Sequence, residues 1–252
     1  MIEKDVIVTT RHGNMPSFTV QPDGPGIFPG IIFYMDAPGI REELRNMARR
    51  IAKAGYFVIV PDMYYRMGLL RFDIPHRTDA MSVLIRGAMN HLTNALVTDD
   101  TAAMLAYLDA QSSVKFGPVG CVGYCMSGRY ITTAAARFPH RITAAASLYG
   151  VGIVTDQDDS PHLLLDKVKA ELYYAFAEHD QTVPDNVIPD LKAALKKTAV
   201  VNAVDVYPGT HHGFAFPERG VYDTLAAEDS WEKIFVMWAR KLKQRDEKGE
   251  RE

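Results

Sequence analysis

Three residues in this 252-residue chain have the types and surroundings to do covalent chemistry together. Cys125 stands at the centre of Gly123-Tyr124-Cys125-Met126-Ser127-Gly128, after the apolar run Val119 to Val122 and before a helix-compatible stretch. A frame of small residues like this builds a sharp strand-to-helix turn that presents one side chain at its tip. A thiol there faces the first N–H groups of the following helix, which favour thiolate. Asp180 and His212 each sit in a polar loop after an apolar run. An imidazole can take or hold the thiol proton, and a carboxylate can fix the ring's tautomer and stabilise its charged form. The chemistry that follows is acyl transfer through a thioester. Its oxyanion needs two donors, and the backbone N–H groups of Met126 and Ala37 are the candidates.

Plainer readings compete with this one. Cys125 has the alternative of a buried core thiol, the commoner fate of a free cysteine. Asp180 has the alternative of a helix cap. His211 adjoins His212, and His212 is preferred because Gly213 lets the backbone approach the site closely. Ser127 is disfavoured as nucleophile, since no glycine lies two residues before it. A zinc site from Cys125, His211 and His212 lacks paired ligands at tight spacing, so no metal is expected. Cys121, in the apolar run, reads as a small core residue, and a disulfide from it to Cys125 spans too much extended chain.

Bringing these loops together requires a sheet. Val6 to Thr9 and Ser17 to Val20, separated by Gly13-Asn14, predict an opening hairpin. Pro22 to Gly30 reads as a loop. Ile31 to Met35 and Tyr56 to Val60 are continuous apolar runs, expected of strands covered on both faces. Between them Ile40, Leu44, Met47 and Ile51 recur at helical spacing and Gly55 closes the helix. A strand–helix–strand unit of this kind is a right-handed crossover in a parallel sheet. Met63 to about Leu96 is less regular, with a helix from near Thr78. A second helix is predicted over about Asp99 to Ala110 with Thr98 as its cap. Further strands fall at Ile142 to Tyr149, Glu171 to Ala177 and Val200 to Tyr207. Further helices fall at about Ser127 to Arg137, around Leu191 to Leu195, and on the stripe Trp231, Ile234, Phe235, Trp238, Leu242. The expected fold is α/β: a mostly parallel sheet of about eight strands with helices on both faces, one domain over 1–252 with a polar tail at 243–252. Functional residues then belong at the carboxyl ends of the strands. The chain order nucleophile, acid, histidine is the one found on α/β-hydrolase sheets.

At 47% hydrophobic and 23% charged residues, the composition is that of an ordinary soluble globular protein. A net charge of −3 gives no reason to expect a nucleic-acid or anionic-membrane partner. Two cysteines make no disulfide framework and fit a reducing cytoplasm. No signal peptide is read at the N-terminus, and no run approaches the ~18 apolar residues that span a membrane.

These residues together resemble the dienelactone hydrolase family of α/β hydrolases, over roughly Val6 to Leu242. The resemblance rests on Gly123 to Gly128, on Asp180-Gln181-Thr182-Val183-Pro184, on Tyr207-Pro208-Gly209-Thr210-His211-His212-Gly213-Phe214, and on Pro61-Asp62-Met63-Tyr64. It implies Cys125 as nucleophile, Asp180 as acid and His212 as base. It also implies an α/β-hydrolase domain without a large lid, a monomer or weak homodimer needing no cofactor. The family places a glutamate that contacts the resting thiol where this chain has Asp36, and a carboxylate there disfavours thiolate. Two positions depart from the family. Ser127 replaces a usual glycine, and Phe216 stands where an arginine grips a substrate carboxylate. Arg219 or an arginine between Met63 and Arg86 is left to substitute, and a more apolar ester or lactone is implied. Tyr64, Tyr65, Phe72, Phe214 and Phe216 are candidates for pocket walls or for ordinary core. The competing functions are a general short-chain carboxylesterase and a non-enzymatic small-molecule scaffold.

Overall fold

A computed structural model describes residues 1–243 of the chain; the predicted polar tail, apart from Lys243, lies outside the described residues. Its sheet has eight strands in the order β1-β2-β4-β3-β5-β6-β7-β8. The strands are β1 (Ile2–Thr10), β2 (Gly13–Gln21), β3 (Phe28–Tyr34), β4 (Phe57–Pro61), β5 (Val114–Tyr124), β6 (Ile142–Leu148), β7 (Glu171–His179) and β8 (Asn202–His211). The β1–β2 and β2–β4 pairings are antiparallel and every other pairing is parallel. The helices are α1 (Glu42–Lys53), α2 (Asp79–His91), α3 (Asn94–Asp109), α4 (Gly128–Arg137), α5 (Val187–Leu195) and α6 (Thr224–Leu242).

The local chemistry explains the elements. β3 and β4 lack alternation because helices cover both faces, and Ile31 to Tyr34 and Phe57 to Val60 are buried throughout. α1 buries Leu44, Met47, Ala48, Ile51 and Ala52 on one stripe, and the chain turns out of it at Gly55 with φ +90°. α1 and α6 share one face, where Arg50 pairs with Glu228 and stacks on Trp231. α3 and α4 pack together on the other. α2 begins near Thr78 as predicted, and the Thr78 side chain caps it, accepting from the Met81 N–H at 3.2 Å.

Three expectations are corrected. The hairpin turn is Arg11-His12, because Thr10 pairs with Gly13 and so places Gly13-Asn14 inside β2. Pro29 and Gly30 belong to β3, which starts at Phe28 with a register shift between Pro29 and Ile31. α3 begins a turn earlier than its apolar stripe suggests. Thr93 caps it by accepting from Leu96 N–H at 3.2 Å, while the Thr98 hydroxyl donates back to Asn94 O inside the helix.

The strand order decides where a site can form. From β3 the chain moves one way across the sheet to β4, and from β5 it moves the other way to β6, β7 and β8. The loops leaving the carboxyl ends of β3 and β5 therefore part company, and a crevice opens between them. Ala37 lies on the first loop and Cys125 on the second.

Candidate active site

Cys125 has φ +55°, one of two non-glycine residues in the left-handed region among the described residues. A β-carbon-bearing residue adopts that region only where the surrounding structure compels it. What compels it is close packing on both sides of the turn. A β-carbon at Gly123 would lie 2.7 Å from Ser127 O, and one at Gly128 would lie 2.2 Å from Gly150 Cα. The small residues of the frame are there for space. The turn is held from outside as well: Val151 N–H donates to Cys125 O at 2.9 Å, and the buried Ser127 hydroxyl donates to Met35 O at the end of β3. Ser127, where the resemblance leads one to expect glycine, thus straps the β5 turn to the β3 loop.

His212 follows β8 and meets Asp180, which follows β7, with Nδ1 and Oδ2 2.6 Å apart. The other Asp180 oxygen accepts from Thr182 N–H at 2.9 Å and from its hydroxyl at 2.6 Å. The capping alternative for Asp180 fails, since α5 starts only at Val187 with Asn186 before it. His211 is exposed and packs against His179, so His212 is the member of the pair that turns inward. Burial works against charge on His212. Hydrogen bonds and charge from Asp180 and Cys125 outweigh it and push the ring up to about 9. Burial likewise raises the Asp180 carboxyl, but His212 and Thr182 hold it below its ordinary value. The half-buried thiol, the imidazole and the carboxylate thus converge at one rim of the sheet.

The oxyanion candidates are buried beside the turn. Ala37 N–H has no acceptor among the described residues. Tyr64 braces both loops, its hydroxyl donating to Ala37 O at 2.7 Å and lying 3.4 Å from Met126 Sδ. Asp36 is 0% exposed. Its carboxylate pairs with Arg41, at 3.0 Å for Nη2, and with Arg219 at 3.3 Å; Arg41 also pairs with Glu218. No hydrogen bond joins Asp36 to Cys125, although both act electrostatically on Tyr64 and Tyr149. Burial disfavours charge on Arg41, yet Asp36 and Glu218 raise its pKa and keep it protonated.

The aromatic candidates are placed differently. Tyr64, Phe214 and Phe216 have no exposed surface and form the floor beneath the site, with Phe216 against Tyr124 and Phe214 against Tyr149. Tyr65 turns away to Asp100 and Thr10. Phe72 is half-buried against the core. Arg219 reaches the site but is committed to Asp36 through Nη2. Among the described residues no cluster of His, Cys, Asp and Glu suits a metal, and no helix is long and apolar enough to cross a membrane. Arg41, Thr182 and Ser127 were not legible as site residues. Arg41 meets Glu218 and Ser127 meets Met35 only through the tertiary fold, whereas Thr182 bonds Asp180 two residues away.

A parallel sheet with this strand order, a left-handed residue on the turn after β5, and acid and histidine after β7 and β8 define the α/β-hydrolase architecture. Comparison with known proteins narrows it. The family model described as the dienelactone hydrolase family matches residues 15–242. The chain belongs to that family, and with it to the carboxylic ester hydrolases. A protein of Synechocystis sp. provisionally named a carboxymethylenebutenolidase is 29% identical over 247 residues, covering 95% of this chain and 98% of that one. One of Escherichia coli with the same provisional name is 26% identical, covering 90% and 83%. Among solved structures, a provisionally named dienelactone hydrolase from Klebsiella pneumoniae superposes with a TM-score of 0.84 at 23% identity, covering 95% and 98%. The dienelactone hydrolase from Anabaena variabilis gives 0.66 at 19% identity, covering 96% and 98%. At these identities the structures speak for the fold.

Proposed function

We propose that this chain hydrolyses small esters or lactones through Cys125, His212 and Asp180, by way of a thioester. The observation that carries the reading is the 2.6 Å contact of His212 Nδ1 with Asp180, on a ring that the Thr182 hydroxyl also meets at 3.0 Å and whose charged form Cys125 favours. Asp180 takes the Nδ1 proton side and leaves Nε2 to serve the sulfur. Pushed up to about 9, the ring is able to hold the thiol proton as the sulfur attacks. The sulfur attacks the carbonyl carbon, and the carbonyl oxygen becomes an oxyanion received by the N–H groups of Ala37 and Met126. Each such donor is worth ~10²–10³ in rate. Collapse breaks the ester C–O bond, and the departing alkoxide takes the proton from His212. Water then gives a proton back to His212 and its oxygen to the thioester carbon. The acid leaves and the sulfur is restored.

The test is hydrolysis of p-nitrophenyl acetate by the native chain and by Cys125→Ala, with mass spectrometry of the native protein under rapid quench. The expected result is a burst of one p-nitrophenolate per chain, an acetyl adduct on Cys125, and loss of both in the variant. Equal rates for the two proteins would refute the reading and favour the binding-scaffold alternative.

A further inference from the structure

Three consecutive carbonyls on the loop after β3 each accept a hydrogen bond, and each from a different source. Met35 O accepts from the Ser127 hydroxyl, two residues past the candidate nucleophile. Asp36 O accepts from Gly39 N–H at 2.9 Å, which closes a four-residue turn. Ala37 O accepts from the Tyr64 hydroxyl at 2.7 Å. The Ala37 N–H shares a peptide plane with Asp36 O and has no acceptor among the described residues. Pro38 has no N–H and that of Gly39 is spent in the turn, so Ala37 holds the free donor of this stretch.

Two of the three ties reach across to the other oxyanion candidate. Ser127 follows Met126 in the single turn Cys125–Ser127 after β5. The Tyr64 hydroxyl lies 3.4 Å from Met126 Sδ. Both hydroxyls are dependable donors. The other neighbour of Ser127 Oγ is Met63 Sδ at 3.9 Å, a weak acceptor, so its proton stays with Met35 O. Tyr64 is fully buried, and burial with the Asp36 charge raises its pKa far above the ordinary range, so the proton is kept. Its own N–H rests on the buried Asp62 carboxylate at 3.2 Å. The Ala37 and Met126 N–H groups belong to separate loops, and neither backbone alone fixes the gap between them.

We propose that Ser127 and Tyr64 are positioning residues that set the gap between the two oxyanion donors, Ala37 N–H and Met126 N–H. This rests on the ester-hydrolase reading above and adds the groups that aim its oxyanion hole. Donors stabilise a developing oxyanion fully only when they need not move during the reaction. Without the Ser127 hydroxyl, Met35 O becomes a buried acceptor with no donor, and the loop shifts towards another partner. The Ala37 N–H then leaves the point where the carbonyl oxygen sits. His212 and Asp180 are held by bonds of their own and stay in place.

The experiment measures two rates on Cys125 in the native chain, Ser127→Ala, Ser127→Cys and Tyr64→Phe. The first is acylation by p-nitrophenyl acetate, read as the stopped-flow burst, in which addition of the sulfur creates an oxyanion. The second is alkylation by iodoacetamide, in which the sulfur displaces iodide from a saturated carbon and no oxyanion forms. A displaced donor loses part of the ~10²–10³ that a missing one costs, so the limiting acylation rate falls ~10-fold in Ser127→Ala and in Tyr64→Phe. The half-saturating ester concentration, the alkylation rate and its pH profile stay native. Ser127→Cys, which keeps a weak donor, regains part of the acylation rate. Inhibition by trifluoroacetone, whose carbonyl takes up the sulfur and keeps the oxyanion, weakens by the same factor as acylation. The two variants cut different ties, so either one alone decides. A native acylation rate in either, or alkylation slowed in step with acylation, would overturn the proposal. Ester hydrolysis surviving in Cys125→Ala would instead overturn the reading beneath it.

Discussion

Replacing Asp180 by asparagine keeps the outline of the loop and removes one charge. The Thr182 N–H and hydroxyl still donate to one oxygen of the side chain. The amide nitrogen then takes the place of the oxygen 2.6 Å from His212 Nδ1. Two donors cannot face each other, so Nδ1 becomes an acceptor and the ring proton moves to Nε2, towards the sulfur. In the native protein burial lowers the His212 pKa, and Asp180 with Cys125 raises it from 6.5 to about 9. That difference corresponds to about 3 kcal/mol, of which the Asp180 share cannot survive the substitution. Losing it predicts a fall of ~10²-fold in kcat/KM, and up to ~10⁴-fold if the wrong tautomer dominates. The assay is kcat/KM for p-nitrophenyl acetate from pH 5.5 to 10.5. Native activity declines as pH rises through about 9, where the imidazolium loses its proton. In Asp180→Asn that alkaline limb moves towards 6.5. The stability linkage has the same sign. A raised histidine contributes stability fully present below about 6.5 and lost as pH rises through about 9, so this slope shrinks in melting curves of the variant by the Asp180 share. An alkaline limb unmoved by the substitution would refute the assignment of His212 and Asp180 as a working pair.

Gly128→Ala tests the tight turn. The native φ of −55° suits alanine, so backbone conformation is not the obstacle. The added carbon would sit 2.2 Å from Gly150 Cα and 2.6 Å from Ser147 Oγ. Overpacking against backbone predicts a loss of about 3 kcal/mol or more in urea unfolding, and unchanged stability would refute the close approach. Asp36→Asn removes the shared carboxylate of Arg41 and Arg219, and a buried pair broken on one side predicts a loss of about 3–5 kcal/mol by the same measurement. If Asp36 also restrains the thiol, the pH profile of Cys125 alkylation by iodoacetamide shifts in this variant. An identical profile confines Asp36 to a structural role.

Much of the fold was legible along the chain because burial on both faces leaves continuous apolar runs. β3, β4 and β6 announce themselves, and Gly55 ends α1 in a conformation that glycine takes cheaply. Errors fell where local signals are degenerate. Thr93 and Thr98 are equally good caps in isolation, and only packing of α3 against α4 selects the earlier one. Gly13-Asn14 is a sound turn dipeptide displaced by the register of β1 on β2.

The sequence by itself determined which residues could react. It supplied a thiol in a frame of small residues, and an acid and a histidine in strand-end loops in the right order. Only the tertiary structure decided what surrounds them. It separated His212 from His211 and set Tyr64 to bracing two loops instead of lining a pocket. It also tied Asp36 and Arg219 to each other and left the Ala37 N–H without an acceptor among the described residues. Hydrophobic periodicity and turn chemistry act between near neighbours and are written in order along the chain. Pairings such as Arg41 with Glu218 or Ser127 with Met35 exist only once the sheet has closed the distance between them, and no local pattern encodes them.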